Sequence, residues 1–128
     1  MISAHPDVKG SISEPLITCI EVCFACAQTG TSCADASVAE DEVTGLRQCI
    51  RLNLDCADVC SATGALASRR AGSNQEVLRT MIGSCALTCR ICAEECEKHA
   101  RDHQHCKVCA AECRNCEEAC TAAIRLVH

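Results

Sequence analysis

Cysteine occupies the positions where an amphipathic helix would ordinarily carry Leu, Ile or Val. Between residues 81 and 120, successive cysteines are mostly separated by three or four residues. Residues spaced in this way share one face of an α-helix. The cysteines of this stretch are Cys85, Cys89, Cys92, Cys96, Cys106, Cys109, Cys113, Cys116 and Cys120. The pattern therefore predicts helices whose buried seams consist of thiols.

The same periodicity runs through the first half of the chain, with two interruptions. The cysteines here are Cys19, Cys23, Cys26 and Cys33, followed by Cys49, Cys56 and Cys60. Gly30 and Asn53 stand at the stripe positions that these two sets skip. Neither residue is assigned a role as a metal ligand, and Asn53 is expected to be a hydrogen-bonded buried amide.

Local signals predict where the helices begin and end. Ser13 is a candidate N-cap and Pro15 suits a first helical turn, while Ser73 or Asn74 could cap a later helix. The predicted helices span about residues 14–35, 42–67, 75–100 and 103–126. Polar segments near residues 37–41 and 68–74 form turns, whereas the last junction contains neither Gly nor Pro.

Helices of similar length with short connections predict an all-α fold, an antiparallel up-down-up-down four-helix bundle with a cysteine-lined core. Residues 14–128 are expected to form this bundle, and residues 1–13 an N-terminal tail or cap.

Composition narrows the possible functions and locations. The 128 residues suit one domain, and the 48% apolar content includes 16 cysteines but only one aromatic residue, Phe24. The net charge of −5, with acids and bases interspersed, argues against nucleic-acid binding. We expect neither a secretory signal nor a membrane span, because no apolar stretch approaches about 20 residues. A cytoplasmic location follows, where thiols stay reduced.

Soft thiolate ligands select Cu(I), Zn(II) or iron–sulfur clusters. Zinc and cluster sites use compact sets of cysteines, usually on turns, whereas the CxxC pairs here lie within predicted helices. The CxxxCxxC spacing of radical S-adenosylmethionine enzymes occurs at residues 19–26 and 85–92, but helical periodicity explains it. Cu(I) is satisfied by two or three thiolates, so a continuous thiol ladder suits many copper ions.

With its CxxxCxxCxxxC motif at residues 85–96 and CxxCxxxCxxCxxxC motif at 106–120, the chain resembles the cysteine-rich four-helix-bundle copper storage proteins. The resemblance covers roughly residues 16–125 and implies a bundle whose interior thiolates bind many Cu(I) ions. It resembles the cytosolic type, which holds copper in reserve or sequesters it and tends to be tetrameric. A copper chaperone or a small thiol would deliver the metal.

Other interpretations of the thiols remain open at this point. They could be small core residues, disulfide partners, or ligands of a zinc or other soft-metal buffer. The zinc buffer is the main alternative, because it would use the same residues. We expect no enzymatic activity, because no cysteine is paired with a distinct general base.

Two histidines continue the thiol stripe of the third helix. His99 and His103 follow Cys96 in steps of three and four, whereas His105 lies off that line. An imidazolium near a helix C-terminus is also favourable without metal. We nevertheless include His99 and His103 with the sixteen cysteines as candidate metal ligands.

The two ends of the predicted bundle differ in character. One end is predicted to be an apolar plug formed by Ile12, Leu16, Leu78, Met81, Ile124 and Val127. The other collects Cys33, Cys49, Cys96, His99, His103 and Cys106. We therefore expect copper to pass through this second, polar end.

Apolar residues that face outward predict self-association. On a helical wheel, Ile17 and Phe24 lie opposite the cysteines of the first helix, and Leu87 and Ile91 face outward on the third. Such patches favour burial against another subunit, and the alternative is coverage by the N-terminal segment. We expect a homo-oligomer, and the family resemblance suggests a tetramer.

Overall fold

The computed structural model describes residues 1–7 and 13–127, which contain four long α-helices and no β-strand. The helices are α1 (Glu14–Val38), α2 (Arg47–Ser68), α3 (Gln75–His99) and α4 (Gln104–Ile124). Two short 3₁₀ helices, Ile2–Ala4 and Val43–Leu46, precede α1 and α2. The prediction of an all-α fold with four helices is confirmed.

Each long helix packs against two others around a common axis. The main contacts of α1 are with α2 and α4, and those of α3 are likewise with α2 and α4. Helices adjacent in sequence are therefore adjacent in space, as in an antiparallel up-down-up-down bundle. The α1–α2 and α3–α4 connections meet at one end, which we call the mouth. The opposite end, where α1 and α3 begin, is the closed end.

The start of α1 was predicted correctly from its capping residue, whereas the start of α2 was not. The Ser13 hydroxyl accepts a hydrogen bond from the Leu16 amide at 3.4 Å, so α1 begins where predicted. The predicted start of the second helix is wrong by about five residues, because Val43–Leu46 forms a 3₁₀ turn first. Thr44 and Gly45 are weak α-helix formers, which fits this local departure.

The remaining bounds differ from the predictions by only a few residues. α1 extends to Val38, beyond the predicted end near residue 35, and α4 stops at Ile124 rather than at residue 126. Asn74 occupies the N-cap position of α3 without a side-chain capping bond. Its backbone carbonyl instead accepts a hydrogen bond from the Leu78 amide at 3.0 Å.

The closed end is apolar, as predicted, but one stripe residue was assigned wrongly. Ile82 is fully buried there, while Met81 is only partly buried. The buried face of α3 therefore continues from Cys85 to Ile82, three residues earlier in the chain. It does not continue to Met81, four residues earlier. Leu78 and Val127 are also buried, and Leu16, Ile124 and Ile2 pack against them. Ile12 lies outside the described residues.

The first helix is apolar enough to span a membrane by length and composition, contrary to the expectation from sequence. The core helix of a bundle meets the same criterion. In this fold, the cysteine face of α1 is buried against the other helices. The buried cysteine face thus accounts for part of the apolar composition of α1.

Two glycines allow close contact between α1 and α2. A Cβ atom at Gly30 would lie 2.9 Å from the backbone oxygen of Asn53. A Cβ atom at Gly64 would lie 2.9 Å from the ring of Phe24. A side chain at Gly30 would collide with the backbone of α2, so Gly30 limits the α1–α2 distance near the mouth, whereas Gly64 leaves room for the tip of the Phe24 side chain.

Candidate metal centre

All sixteen cysteines point into the bundle, and all are free thiols. Each is at most 2% exposed, so together they form the greater part of the core. The alternating spacing of the sequence produces this arrangement, since every helix presents one cysteine face to the same axis. The prediction of a cysteine-lined core is confirmed.

Ten of the thiols form one hydrogen-bonded network between the closed end and the middle of the bundle. We call this set the inner thiols: Cys19, Cys23, Cys26, Cys56, Cys60, Cys85, Cys89, Cys113, Cys116 and Cys120. The shortest contacts join the Cys60 sulfur to those of Cys85 and Cys89, both at 3.6 Å. Sulfur atoms from all four helices therefore lie in contact without disulfide bonds.

The other six thiols lie towards the mouth, and four of them contact the amide oxygen of Asn53. These outer thiols are Cys33, Cys49, Cys92, Cys96, Cys106 and Cys109. The Asn53 Oδ1 atom accepts hydrogen bonds from the thiols of Cys92, Cys96 and Cys109 at 3.2, 3.3 and 3.5 Å. Its Nδ2 atom is buried without a hydrogen-bond partner.

Asn53 was interpreted from sequence as an interruption of the cysteine stripe and as a hydrogen-bonded buried amide rather than a ligand. In the structure, its side chain is fully buried and adds an oxygen donor atom to the outer thiols. The sequence feature that indicates this contact is the register of Asn53 with Cys49 and Cys56, which places it on the buried face of the helix. A buried amide at that position requires hydrogen-bond partners.

The sulfur atoms form overlapping groups that could each hold a metal ion. The sulfurs of one group lie within 4.8 Å of one another, and neighbouring groups share members. Three such groups are Cys23/Cys85/Cys116/Cys120, Cys60/Cys85/Cys89/Cys116 and Cys26/Cys56/Cys60/Cys89. Because Cys60, Cys85, Cys89 and Cys116 each belong to two of these groups, a single sulfur could bridge two ions.

The spacing of the sulfurs alone does not select the metal. A tetrahedral Zn(II) site with Zn–S bonds of about 2.3 Å has sulfurs about 3.8 Å apart. Contacts of 3.6–4.0 Å between inner thiols are compatible with that geometry as well. The choice between copper and zinc therefore depends on how the groups overlap and how many thiols are used.

No cationic side chain is available to balance thiolates in the described core. Its buried polar residues are Ser37, Asn53 and Thr63, none of which carries charge. Ionising many thiols there would leave uncompensated negative charge at low dielectric. Metal ions could supply the missing positive charge, and their binding would release the thiol protons.

The pKa values of the thiols reflect burial and mutual hydrogen bonding. Burial, together with the nearby Cys49 thiol, raises the pKa of Cys106 to about 12. Hydrogen bonds with Cys33 and Cys96 lower the pKa of Cys49 to about 3, whereas hydrogen bonds with Cys109 and Cys33 raise the pKa of Cys96. Hydrogen bonding between neighbouring thiols thus lowers the pKa of one partner and raises that of the other.

The histidines at the mouth differ in what they contact. His99 Nε2 bonds the Glu95 carboxylate at 2.8 Å, and the Nδ1 atom of His103 bonds Glu40. His105, placed off the stripe by the sequence analysis, is the imidazole that approaches the thiols. Its Nδ1 atom lies 3.4 Å from the Cys33 sulfur and 3.6 Å from the Cys106 sulfur.

The His105 contact depends on the connection between helices rather than on helical periodicity. His103 is the N-cap residue of α4 and has an extended backbone conformation. The face of His105 therefore cannot be extrapolated from the stripe of α3. Cys33, His105 and Cys106 form a three-residue group that could hold a metal ion at the mouth.

Comparisons with known proteins agree with this geometry. Residues 12–125 match the family model described as copper storage protein. The cysteine-rich protein YhjQ of Bacillus subtilis is 36% identical over 102 residues, which cover 80% of this chain and 89% of YhjQ.

Solved structures of copper-loaded proteins share the fold. Ccsp from Streptomyces lividans, loaded with 10 copper equivalents, is 44% identical with a TM-score of 0.92, covering 97% of this chain and 95% of Ccsp. A second structure, of a cytosolic copper storage protein from Streptomyces lividans with five coppers, is 47% identical with a TM-score of 0.86 and covers 88% and 93% of the two chains. Cu(I)-bound BsCsp3 is 31% identical with a TM-score of 0.75, over 85% and 97%. The chain belongs to the copper storage protein family.

Proposed function

We propose that this protein stores or sequesters many Cu(I) ions on the thiolates of its core. The observation that carries the proposal is the set of sixteen buried free thiols in overlapping sulfur groups. Overlap allows each thiolate to bridge ions, and Cu(I) needs only a few soft ligands. The related Ccsp and BsCsp3 structures contain copper, which supports the same cargo here.

The protein acts as a store and not as an enzyme in this proposal. Its family is a storage family, and its thiols serve collectively as ligands. We place the protein in the cytoplasm, where thiols remain reduced and ready to bind metal. A neighbour of the same fold from Streptomyces lividans is a cytosolic copper storage protein, which supports this location. A copper chaperone or a small thiol would deliver the ions.

The proposed ligands are the sixteen cysteines, with His99 and His103 at the mouth. The inner thiols would hold ions away from solvent, because their sulfur atoms are buried on all four helices. The histidines are partly exposed, with 22–23% of each side chain accessible. In this arrangement the imidazoles would handle copper during uptake and release, while the thiols would supply most of the capacity.

A zinc buffer using the same thiols is the second candidate. Sixteen thiols divided into Cys₄ sites would bind at most about four Zn(II) ions. Overlapping groups such as those that share Cys60 and Cys85 would then be only partly used. A continuous set of shared sulfurs therefore favours Cu(I).

Anaerobic competition between the two metals tests the proposal. Reduced protein is mixed with excess Zn(II) and titrated with Cu(I) from a colourless chelator complex, and bound metal is measured after gel filtration. We expect Cu(I) to displace zinc and fill the core. Retention of zinc against excess Cu(I) would favour the zinc buffer instead.

A further inference from the structure

The mouth contains a carboxylate that bonds two histidines across the end of the bundle. Glu40 lies in the α1–α2 connection, whereas His103 and His105 lie at the α3–α4 connection and the start of α4. The Oε2 atom of Glu40 is 3.1 Å from His105 Nε2 and also bonds the Nδ1 atom of His103. Within residues 1–7 and 13–127, these are the salt bridges that join the two connections.

The contact with Glu40 determines which nitrogen atom of the His105 ring is protonated and which one lies towards the thiols. A carboxylate only accepts hydrogen bonds, so the Nε2 atom facing Glu40 must carry the proton. In the neutral ring, Nδ1 then has a free lone pair. This atom faces the sulfurs of Cys33 and Cys106, at 3.4 and 3.6 Å. The charge of Glu40 thus selects the tautomer that presents a lone pair to the outer thiols.

We propose that Glu40 is a positioning residue for copper uptake, acting by holding His105 with its Nδ1 atom towards Cys33 and Cys106. The uptake role rests on the proposed copper function. An acceptor behind an imidazole fixes the ring orientation and makes the opposite nitrogen a better donor to metal. Glu40 itself stays outside the thiol core, with 32% of its side chain exposed.

The pKa of Glu40 agrees with this geometry. The hydrogen bond from His105, together with the charge of His103, holds the pKa of the Glu40 carboxyl below its ordinary value. The carboxylate therefore remains a charged acceptor at neutral pH. Exposed ion pairs often contribute little to stability, so the test relies on orientation and uptake rather than on unfolding.

The chain provides a matched control on the same loop. Glu42 lies two residues from Glu40, is exposed, and makes no side-chain capping bond at the 3₁₀ helix that it precedes. Glu40→Gln and Glu42→Gln remove the same charge from the same connection. Only the first changes the group that faces His105, so any general effect of negative charge on Cu(I) attraction appears in both variants.

The first measurement uses metal-free protein and is independent of copper. Long-range ¹H–¹⁵N correlation spectra, recorded in mildly alkaline buffer, report which His105 nitrogen is protonated. We expect protonation at Nε2 in the wild type and in Glu42→Gln, and a mixture of tautomers in Glu40→Gln. An unchanged His105 spectrum in Glu40→Gln would overturn the positioning role.

The second measurement follows uptake. Under anaerobic stopped flow with a coloured Cu(I)–chelator donor, we expect Glu40→Gln to load about tenfold more slowly than the wild type, as loss of an outer-shell partner commonly costs. Glu42→Gln should match the wild type. In a His103→Ala/His105→Ala background, Glu40→Gln should change the rate by less than about twofold, because both imidazoles that Glu40 contacts are then absent.

The outcomes separate this proposal from the proposed function. Equal uptake by Glu40→Gln and Glu42→Gln would overturn the role of Glu40 while leaving copper storage intact. Failure of the wild type to bind Cu(I) would overturn copper storage and the uptake role with it. The tautomer measurement would still decide whether Glu40 orients His105.

Discussion

At the scale of single residues, the protein combines uniform thiols with a few distinctive side chains at the mouth. The cysteines are nearly equivalent in burial, whereas Asn53 and His105 bring an oxygen and a nitrogen atom to the outer thiols. His99 and His103 bond carboxylates at the same end. Imidazoles are exchangeable ligands for soft cations, and partly exposed ones can meet a copper donor. The mouth residues are therefore suited to transfer, and the buried sulfurs to retention.

The contribution of His99 and His103 to copper uptake and removal is tested by replacing both residues with alanine in one variant. We expect slower uptake or removal of copper, with most of the stoichiometry preserved, because the sixteen thiols remain. Exchange with a Cu(I) chelator, followed by absorbance under anaerobic conditions, measures both quantities. His105→Ala is the useful comparison, since His105 is the imidazole that contacts thiols. Unchanged rates in the double variant would contradict a role for His99 and His103.

At the scale of helices, most of the fold could be predicted from the sequence, because the cysteine spacing marks the buried face of each helix and also supplies the candidate metal ligands. The thiol stripes identify the inward face of every helix, and the capping signal at Ser13 fixes the start of α1. What could not be predicted depends on local or tertiary details. Val43–Leu46 departs from the helical pattern, and Ile82 replaces Met81 because the three-residue step was not distinguishable from the four-residue step.

The residues of the candidate metal centre were likewise only partly predictable from the sequence. All cysteines were identified, since their spacing alone places them inward. The His105 contact was not foreseen, because it depends on how the chain turns between α3 and α4. The thiol contacts of Asn53 depend on neighbouring helices, and a single-helix stripe does not define them.

The close contact between α1 and α2 gives a prediction at this scale. Gly30→Ala should destabilise the reduced, metal-free protein by about 1–3 kcal/mol, because its Cβ atom would overlap the Asn53 backbone oxygen. Gly83→Ala is the control, since its Cβ atom would meet only the tip of Ile124, at 3.4 Å. That substitution should be neutral or stabilising by up to about 1 kcal/mol, through helix propensity.

Urea denaturation, monitored by circular dichroism under reducing conditions, measures both free energies of unfolding. Equal stability of Gly30→Ala and Gly83→Ala would show that the α1–α2 contact is not limited by the space at Gly30.

At the scale of the whole molecule, the bundle has one apolar end and one end rich in exchangeable ligands. Ile82, Leu78 and Val127 close the first end, and we expect ions to reach the thiols through the mouth. The inner thiols then lie beyond the outer thiols and Asn53 on the path from the mouth. This polarity would allow one bundle both to retain copper and to exchange it.

The outer surface carries apolar residues that predict self-association. Phe24, Leu87 and Ile91 are 46%, 49% and 38% exposed. Ile17 is partly covered, and Met1 and Ile2 line the same cavity. Phe24, Leu87 and Ile91 would be buried in an oligomer, and the family resemblance suggests a tetramer.

Sedimentation velocity of the wild type and of a Leu87→Glu/Ile91→Glu variant tests this prediction. We expect an assembly of the wild type and a shift towards smaller species in the variant, because the added charges would be buried. Sedimentation of the wild type as a monomer at micromolar concentration would contradict the prediction.

Copper capacity tests the central claim most directly. Reduced protein is titrated anaerobically with Cu(I) in the presence of a chelator that binds only excess metal, and protein is quantified by thiol content. If each thiolate bridges two ions and each ion takes two thiolates, the chain should bind on the order of sixteen Cu(I) ions. Saturation at four or fewer Cu(I) ions per chain would contradict the account.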